Sequence, residues 1–542
     1  MPKARIKNIQ TTSPHHYVYP NTRTLKNKYG TKNLKSFLEK CSHDTSKAIV
    51  NLREAPLPEQ FDSSYLCHIH YELFKNTFEW AGHPRHIPFT FEDGTTAVMP
   101  EMKRTGWENA FALGDEIQEG LQKLDQKLAE KNNLQDLTRE EFNSEAIDLF
   151  NSLNQLHPFR EGNGRTQRVF FEKLAQAAGH KLDFSLVTKE RMLLASVAVA
   201  EKGDLAPMQH LFEDISNPEK THLLKEFMDS MKNMGRNVND RPVMVTKEGE
   251  TYTGLYRGAG QDGFTFNVKG AYIIGNKEHL TPEQLKTLKP GDRITFTVPQ
   301  AQELKNTLIP KETLAPLEKA ELFELIAEDA CVHTARKQIQ RLSKIVYGSS
   351  KKCDEMMIAI IKNSNSGQHI ANKIEQAPDS VALLAGFSLC GLQNQTRANA
   401  KNHVTTLCRA IVNFTCAVQH AKKEITQEHQ EKQVRRAKSV EMPSKSLRDF
   451  LDLPKELQQE ALAHNPLLKK ELGNFTKNIN TRLSSDEHKA ITDKNYEKLA
   501  EAIGTSIKKA AEITDIVQKV KKVYQQTQKR TLNRSNALAM VS

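Results

Sequence analysis

Residues 146–179 decide the fold of the first part of this chain and read AIDLFNSLNQLHPFREGNGRTQRVFFEKLAQAAG. Apolar residues recur at helical spacing before and after a short polar loop, so the stretch predicts two helices that each bury one face. Those apolar positions are Ile147, Phe150, Leu153 and Leu156, followed by Val169, Phe170, Leu174 and Ala177. Pro158 ends the first helix, the second resumes from Arg165, and Gly179 is a suitable C-cap.

The loop between these helices holds Gly162, Asn163 and Gly164. These residues can adopt left-handed backbone conformations, which turn several backbone N–H groups toward one place. The helix that follows adds its own unpaired N–H groups and the positive end of its dipole. The loop is therefore predicted to bind an anion.

Four charged or titratable side chains surround this predicted anion site. Arg165 and Arg168 lie three residues apart on one helical face, an arrangement that suits a polyphosphate. Glu161 is a lone carboxylate beside the loop, which is how proteins usually hold Mg²⁺ next to phosphates. His157 supplies a base that is substantially neutral near pH 7, and Phe159 is expected to anchor the loop.

Each residue also has an ordinary explanation, because a lone histidine is usually structural and two such arginines usually form a solvated face. Their conjunction is more specific. Residues 157–168, HPFREGNGRTQR, match the signature HxFx(D/E)GNGRxxR without departure and resemble the Fic family. Members of that family transfer AMP, or occasionally another phosphate-containing group, to hydroxyl side chains of target proteins.

The resemblance implies a role for each residue of the signature, with ATP as the substrate and Mg²⁺ as the cofactor. His157 is implied to be the general base that deprotonates the target hydroxyl, and Glu161 the Mg²⁺ ligand. Arg165 is implied to support the phosphates, and Arg168 to reach the γ-phosphate. The implied cradle for the α- and β-phosphates is Gly162, Asn163 and Gly164.

Two short β-prone runs, 89–91 and 95–98, flank the Asp93-Gly94 pair, which is a strong hairpin signal. An ordinary surface hairpin would give the same pattern. In Fic proteins, however, a hairpin flap before the signature docks the backbone of the target by strand addition. The resemblance therefore implies a target-docking flap at Thr95, Thr96, Ala97 and Val98.

The 542 residues are too many for one core, and the order of patterns predicts a multidomain, mainly α protein. We expect a loosely structured lead-in (1–36), an all-α domain of Fic type with the hairpin flap (37–218), a charged helical connector (219–240), a small OB-like β-barrel (241–302) and an elongated C-terminal helical bundle (303–542). No stretch approaches the length of a transmembrane helix, and no ordinary secretory signal is present.

Composition excludes several other classes of site. The seven cysteines are an odd number without two-residue-gap pairs, which argues against a zinc site or a disulfide scaffold. His68, His70, His83 and His86 lack nearby cysteines or a matching carboxylate pattern, so we interpret them as structural. Aromatic residues of the barrel could stack on nucleic acid, but a barrel core needs aromatic residues in any case, so nucleic acid is not favoured: Tyr252, Tyr256, Phe264 and Phe266.

The net charge of +11 and the basic end of the chain indicate acidic partners. No acidic residue follows Asp515, whereas six basic residues do: Lys519, Lys521, Lys522, Lys529, Arg530 and Arg534. A Fic-like domain, an OB-like barrel and a helical region with a basic tail, in this order, resemble the Bartonella effector proteins. In them the C-terminal region is the BID domain, a type IV secretion signal.

This resemblance implies an enzyme, a protein adenylyltransferase, that resides in the bacterial cytoplasm before export and is translocated into a host cell. Its implied partners are host protein targets and the type IV secretion coupling protein, and an acidic membrane surface is an open alternative for the basic tail. Two other functions stay open: transfer of another nucleotide or phosphoryl group, and a non-enzymatic interaction scaffold formed by the C-terminal helices.

Regulation is the last prediction from the sequence. Many Fic proteins are restrained by a helix with the motif (S/T)xxxE(G/N), whose glutamate pairs with the second arginine of the signature, here Arg168. This chain contains no such motif, and the nearest match, Thr246 to Glu250, is followed by Thr251 within the predicted barrel. We therefore predict that a separate small antitoxin-like protein silences the enzyme in the producing cell.

Overall fold

The computed structural model describes residues 13–103, 110–389 and 392–539, with side-chain detail up to residue 526. It confirms the prediction of a mainly α, multidomain protein with a small β-sheet region. The chain forms two compact units, residues 1–279 with 288–300 and residues 280–287 with 301–542. Among the described helices, none has both the length and the apolar character needed to cross a bilayer.

The first unit contains eight α-helices in the described residues: α1 (Leu34–Glu54), α2 (Ser63–Phe74), α3 (Gly114–Glu130), α4 (Arg139–Leu156), α5 (Asn163–Ala177), α6 (Lys189–Lys202), α7 (Ala206–Ser216) and α8 (Pro218–Asn233). Its strands are β1 (Phe89–Thr90), β2 (Thr96–Ala97), β3 (Val243–Val245), β4 (Thr251–Ala259), β5 (Gly263–Val268), β6 (Ala271–Asn276) and β7 (Arg293–Thr297).

Helices α4 and α5 are the pair that the central stretch predicts. A capping box between Thr138 and Glu141 starts α4, and His157 caps its end in a left-handed conformation, with φ 47°. Helix α5 begins at Asn163, two residues earlier than the apolar period indicated, because Gly162 makes the turn. Gly179, at φ 77°, follows the end of α5 and lets His180 donate its N–H to the carbonyl of Ala175, as in a Schellman motif.

The N-terminal residues described by the structure are packed rather than loose, which corrects the prediction for the lead-in. Tyr17 is fully buried, and its ring meets that of Trp80 edge-on at a centroid distance of 5.5 Å. Lys26 donates to Asp93 and Thr95 of the hairpin, both at 2.7 Å, and lies over the ring of Phe91. Residues 1–12 of the predicted lead-in lie outside the described part.

Arg85 joins the hairpin to the end of α4. Its side chain is fully buried, and its guanidinium donates to the carbonyl groups of five residues, all within 3.4 Å: Met99, Pro100, Ala112, Leu156 and His157. Burial lowers the pKa of Arg85 to about 10, so the cation persists at neutral pH. A cation is favourable at this place because the C-terminal carbonyls of α4 carry partial negative charge.

The small β region is a five-stranded sheet with the order β3-β6-β5-β4-β7, in which β3 and β6 run parallel and the other neighbours antiparallel. Phe264 and Phe266 are fully buried, and Tyr256 is 6% exposed, so these rings fill the interior and offer no face for base stacking. The predicted connector contains α8, whose apolar stripe packs with Val243 and Ile274 of the sheet.

The second unit is helical apart from short strands: α9 (Pro282–Thr287), α10 (Ala301–Asn306), β8 (Thr307–Ile309), α11 (Lys319–Glu328), α12 (Ala330–Tyr347), α13 (Asp354–Lys362), α14 (Ser366–Gln376), β9 (Ser388–Leu389), β10 (Leu392–Gln393), α15 (Gln395–Asn402), α16 (Val404–Arg436), β11 (Val440–Glu441), α17 (Lys445–Leu451), α18 (Lys455–His464), α19 (Pro466–Arg482), α20 (Ser485–Thr492), α21 (Tyr496–Ile503) and α22 (Ile507–Ala539).

Helix α9 lies within the sequence of the predicted barrel, yet it belongs to the second unit. Its Lys286 donates to both oxygens of Glu312 at 2.9 Å and to the carbonyl of Ala502 at 2.8 Å. Glu312 is 1% exposed and also accepts a hydrogen bond from Arg436, so its charge is paired twice.

The basic tail lies in α22. Lys519 pairs there with Asp452 at 2.7 Å and with Asp515 at 2.8 Å, whereas Lys529, Arg530 and Arg534 lie beyond the described side chains.

We expect Arg85→Lys to destabilise the first unit selectively. A lysine keeps the charge but cannot reach five carbonyls with one nitrogen, and each buried acceptor left without a donor costs about 1–3 kcal/mol. Scanning calorimetry of the full chain should show a lower melting temperature for the transition that includes the first unit. Arg23→Lys, at an exposed arginine of the same unit, is the matched control. Equal melting of both variants would contradict the role of Arg85.

Candidate active site

His157 stands where α4 ends and the signature loop begins. Its N–H donates to the carbonyl of Leu153 at 3.1 Å, and its own carbonyl accepts from Nε of Arg85 at 2.8 Å. The imidazole is half-buried and stacks on the ring of Phe111, with centroids 3.9 Å apart and planes 14° from parallel. Backbone and ring are therefore both held in a defined orientation, as a catalytic base requires.

Buried contacts hold the loop that follows. The side-chain amide of Asn163 accepts from the N–H of Phe159 at 2.9 Å and donates to the carbonyl of Phe159 at 2.7 Å, which closes the loop on itself. The ring of Phe159 is 1% exposed and stacks on His70 at 3.9 Å, which confirms Phe159 as an anchor. Asn163 thus offers an anion only its backbone N–H.

His70 fixes the backbone at Glu161. Its Nδ1 accepts from the N–H of Gly82 at 2.8 Å, so its Nε2 carries the proton that reaches the carbonyl of Glu161 at 3.0 Å. Burial lowers the pKa of His70 to about 3, so the ring is neutral at physiological pH. His70 therefore holds the loop in place.

Gly162 is the one left-handed residue among the three cradle residues. Its φ is 90°, whereas Asn163 and Gly164 already lie in the first turn of α5. A methyl group at Gly162 would also lie 2.3 Å from the ring of Phe74, so both conformation and space require glycine. The predicted run of left-handed residues is corrected: the converging N–H groups are those of a helix N-terminus, which suit an anion equally well.

The side chain of Arg165 is bound on several sides. Its guanidinium donates to Glu161 at 3.1 Å and to Thr45 of α1 at 3.4 Å, and it lies over the ring of Phe74 at 4.7 Å. Arg165 is thus fixed beside the N-terminus of α5, where it adds positive charge to the predicted phosphate site.

Arg168 reaches back toward the first turn of α5. A methyl group at Gly164 would lie 3.4 Å from Nη1 of Arg168, so the guanidinium lies beside the helix N-terminus. Burial and then the neighbouring cation of Arg165 lower the pKa of Arg168. Among the described residues, Arg168 forms no ion pair. A largely buried cation of this kind is suited to an anionic ligand.

Glu161 is the implied ligand of Mg²⁺. One of its oxygens pairs with Arg165, and its side chain is 45% exposed, so the carboxylate remains accessible from solvent. A single carboxylate suits Mg²⁺ when phosphate oxygens and water complete the coordination. The donor set beside the predicted phosphate site therefore fits the ion.

The hairpin is present, and Phe89 pairs with Ala97 and Thr90 with Thr96. Thr96 and Ala97, two of the four predicted docking residues, are buried. The carbonyl of Thr96 accepts from the N–H of Ser13 at 3.3 Å and from Nδ1 of His16 at 2.7 Å. The chain itself therefore covers the outer edge of β2 at this residue, whereas Thr90 of β1 is exposed.

The sequence assigned no role at the site to the residues that support the signature from outside it, although His70 was interpreted as structural. Arg85 and His70 hold the carbonyls of His157 and Glu161, while Phe74 and Thr45 contact Gly162 and Arg165, as given above. Arg85 has no acidic neighbour in sequence, so nothing in its local sequence indicates that it is buried. The helical period places Phe74 in the core but does not indicate that it faces Gly162.

Comparisons with known proteins agree with this site. The Fic/DOC family model matches residues 60–175, and the intracellular delivery domain model matches residues 244–296, which span the five-stranded sheet. A protein adenylyltransferase of Bartonella henselae is 68% identical over 540 residues, which cover 100% of this chain and 99% of that relative. The protein adenylyltransferase VbhT of Bartonella schoenbuchensis is 33% identical over 138 residues, 26% of each chain.

Among solved structures, the type IV secretion system effector protein BepA is 81% identical and superposes with a TM-score of 0.53. The match covers 54% of this chain and 99% of that one. The full-length similarity and the complete signature on the α4–α5 loop lead to one conclusion: this chain belongs to the Fic-type protein adenylyltransferases of the Bartonella effector family.

Proposed function

We propose that this adenylyltransferase uses ATP, that His157 is its general base, and that the N-terminus of α5 with Arg165 and Arg168 binds the phosphates. The observation that carries this proposal is the placement of a fixed imidazole, a helix N-terminus and a largely buried arginine, which has no ion pair in the part of the chain that the structure describes, on one loop and its following helix. These groups are the ones that nucleotidyl transfer to a hydroxyl needs: a base and fixed positive charge for the phosphates.

In the proposed reaction, the hydroxyl of the target gives its proton to the imidazole of His157 as its oxygen attacks the α-phosphorus of ATP. The new bond joins that oxygen to phosphorus, the bond between the α-phosphorus and the bridging oxygen breaks, and pyrophosphate leaves. Arg168 holds the γ-phosphate and Arg165 supports the neighbouring phosphates. Glu161 is the residue that would hold Mg²⁺, which neutralises phosphate charge when bound.

We propose that the target docks on the hairpin by strand addition. The N–H of Phe91 donates to the carbonyl of Thr95 at 2.9 Å, so the next pair along the hairpin, Thr90 and Thr96, directs its N–H and C=O groups outward. At Thr96 the outward carbonyl is covered by Ser13 and His16, which leaves the exposed edge at Thr90 as the favoured docking edge.

The proposed setting is a host cell reached through type IV secretion. The similarity to an effector of that system and the match to an intracellular delivery domain support export, and the basic charge of the chain suits an acidic coupling protein or an acidic membrane surface. A small antitoxin-like protein that inserts a glutamate at Arg168 is proposed to silence the enzyme before export.

The absence of a built-in brake is supported by the position of the nearest motif match. Thr246 and Glu250 lie in the turn between β3 and β4, where no helix can present the glutamate. A glutamate inserted by a separate protein would pair with Arg168 and so prevent Arg168 from binding the γ-phosphate.

We expect His157→Ala to lower transfer of label from ATP to host-lysate proteins by about 10²–10⁴-fold, because the general base is lost. His43→Ala, at an exposed histidine of α1, is the matched control and should label as wild type does. Circular dichroism would establish that both variants are folded. Wild-type labelling by folded His157→Ala would remove His157 from the mechanism.

The full chain, expressed alone, should label itself or its targets without any activating mutation. Co-expression with a small protein carrying the (S/T)xxxE(G/N) helix should suppress labelling, and the same partner with glutamine in place of the motif glutamate should not. If the isolated chain is inactive until one of its own glutamates is replaced, the hypothesis that the chain has no internal inhibitor of Arg168 is wrong.

Truncation should separate catalysis from export. Chains ending at residue 240 or at residue 302 keep the described site and should retain labelling, because the site residues all lie before α6. Neither should enter host cells through the secretion system, since the secretion signal is predicted in 303–542. Entry of the 1–302 chain but not the 1–240 chain would instead place the signal in 244–296, the stretch matched by the delivery model.

A further inference from the structure

Glu172 lies on α5 four residues after Arg168, and its side chain is only 10% exposed. Arg53, in the last turn of α1, holds its carboxylate with two parallel hydrogen bonds. Nε of Arg53 donates to Oε2, and Nη2 donates to Oε1, each at 2.7 Å. The carboxylate also accepts the N–H of Phe184 at 3.3 Å.

This carboxylate and Arg168 belong to the same face of α5. Burial lowers the pKa of Arg168 most and the cation of Arg165 lowers it further, whereas the Glu172 carboxylate raises it. Residues four apart on a helix are also neighbours on its surface, which is the usual spacing of an ion pair. Two arginines can therefore pair with Glu172: Arg53 on α1 and Arg168 on the same helix as Glu172.

The geometry explains why Glu172 pairs with Arg53 rather than with Arg168. A guanidinium and a carboxylate that meet through two parallel bonds form the strongest arrangement available to the pair. A carboxylate that is nearly buried cannot remain without a cation at low cost. On α5, Arg168 is the arginine four residues before Glu172 and therefore lies on the same helical face.

We propose that Arg53 is a positioning residue that holds Glu172 away from Arg168 and so keeps the guanidinium of Arg168 available to the γ-phosphate of the nucleotide. The inference rests on the function proposed above for Arg168. Without Arg53, Glu172 becomes an internal brake: it occupies the guanidinium from the same helix, in the way proposed for the glutamate of a separate inhibitor. His157 and the N-terminus of α5 stay unchanged.

The test is a double-mutant cycle on the full chain, read out by ATP and ADP binding in calorimetry. Arg53→Ala should weaken ATP binding on the order of tenfold to a hundredfold, the range for loss of a hydrogen bond to a charged group, while ADP binding changes little because ADP lacks the γ-phosphate. Adding Glu172→Gln to Arg53→Ala should restore ATP affinity. Labelling of host proteins should fall and recover in parallel.

Arg139→Ala is the matched control, because it removes an ion pair with Glu213 at the opposite end of α4, about 27 Å along the helix from His157. Arg139→Ala should leave the difference in binding affinity between ATP and ADP unchanged.

Three results would overturn the inference: wild-type ATP affinity in Arg53→Ala, equal losses of ATP and ADP affinity, or no recovery in the double variant. The last two would assign to Arg53 a purely structural role in joining α1 to α5. If the wild-type chain binds ATP no more tightly than ADP, both the inference about Arg53 and the proposed role of Arg168 are wrong. If the wild-type chain labels no protein, the proposed transfer activity itself is wrong.

Discussion

The site depends on one buried cation, the guanidinium of Arg85, which is surrounded by carbonyl groups. It joins the base of the hairpin, at Met99 and Pro100, to the end of α4, at Leu156 and His157. In the account proposed here, the target docks on the hairpin and the base is His157. The backbone of Arg85 joins the same two places, since its N–H donates to the carbonyl of Pro158 and its carbonyl accepts from the N–H of Met99. The buried Arg85 therefore fixes the spacing between the docking edge and the base.

Charge balance is the second constraint on the site. The N-terminus of α5, Arg165 and Arg168 concentrate positive charge, and two acidic side chains lie within reach of it. Glu161 pairs with Arg165 and remains half-exposed, in a place suited to a metal ion, while Glu172 is held by Arg53. Each carboxylate has a cation of its own, so Arg168 is left for a ligand. The arrangement favours nucleotide phosphates over the chain's own acidic groups.

Much of this could be predicted from the sequence because the signature lies in one continuous stretch. Helical spacing indicated α4 and α5, and the Asp93-Gly94 pair indicated the hairpin. The sequence could not show that Asn163 closes the loop on Phe159, because an amide can bond to backbone in many ways. Nor could it show the burial of Tyr17 against Trp80 or the place of α9 in the second unit, since both depend on contacts between residues far apart in the chain. Two residues that position the site, Arg53 and Arg85, were missed for the same reason, and His70 was assigned a structural role without its contact to Glu161.

Attack of the target hydroxyl on the α-phosphorus of ATP can be followed by the position of an isotope. The full chain would be incubated with host lysate and ATP labelled either at the α-phosphate or at the γ-phosphate, and the modified proteins would be separated and counted. We expect label on target proteins from α-labelled ATP and none from γ-labelled ATP, with a mass increase that corresponds to AMP. Transfer of the γ-label would contradict it and would assign phosphoryl transfer to the same site.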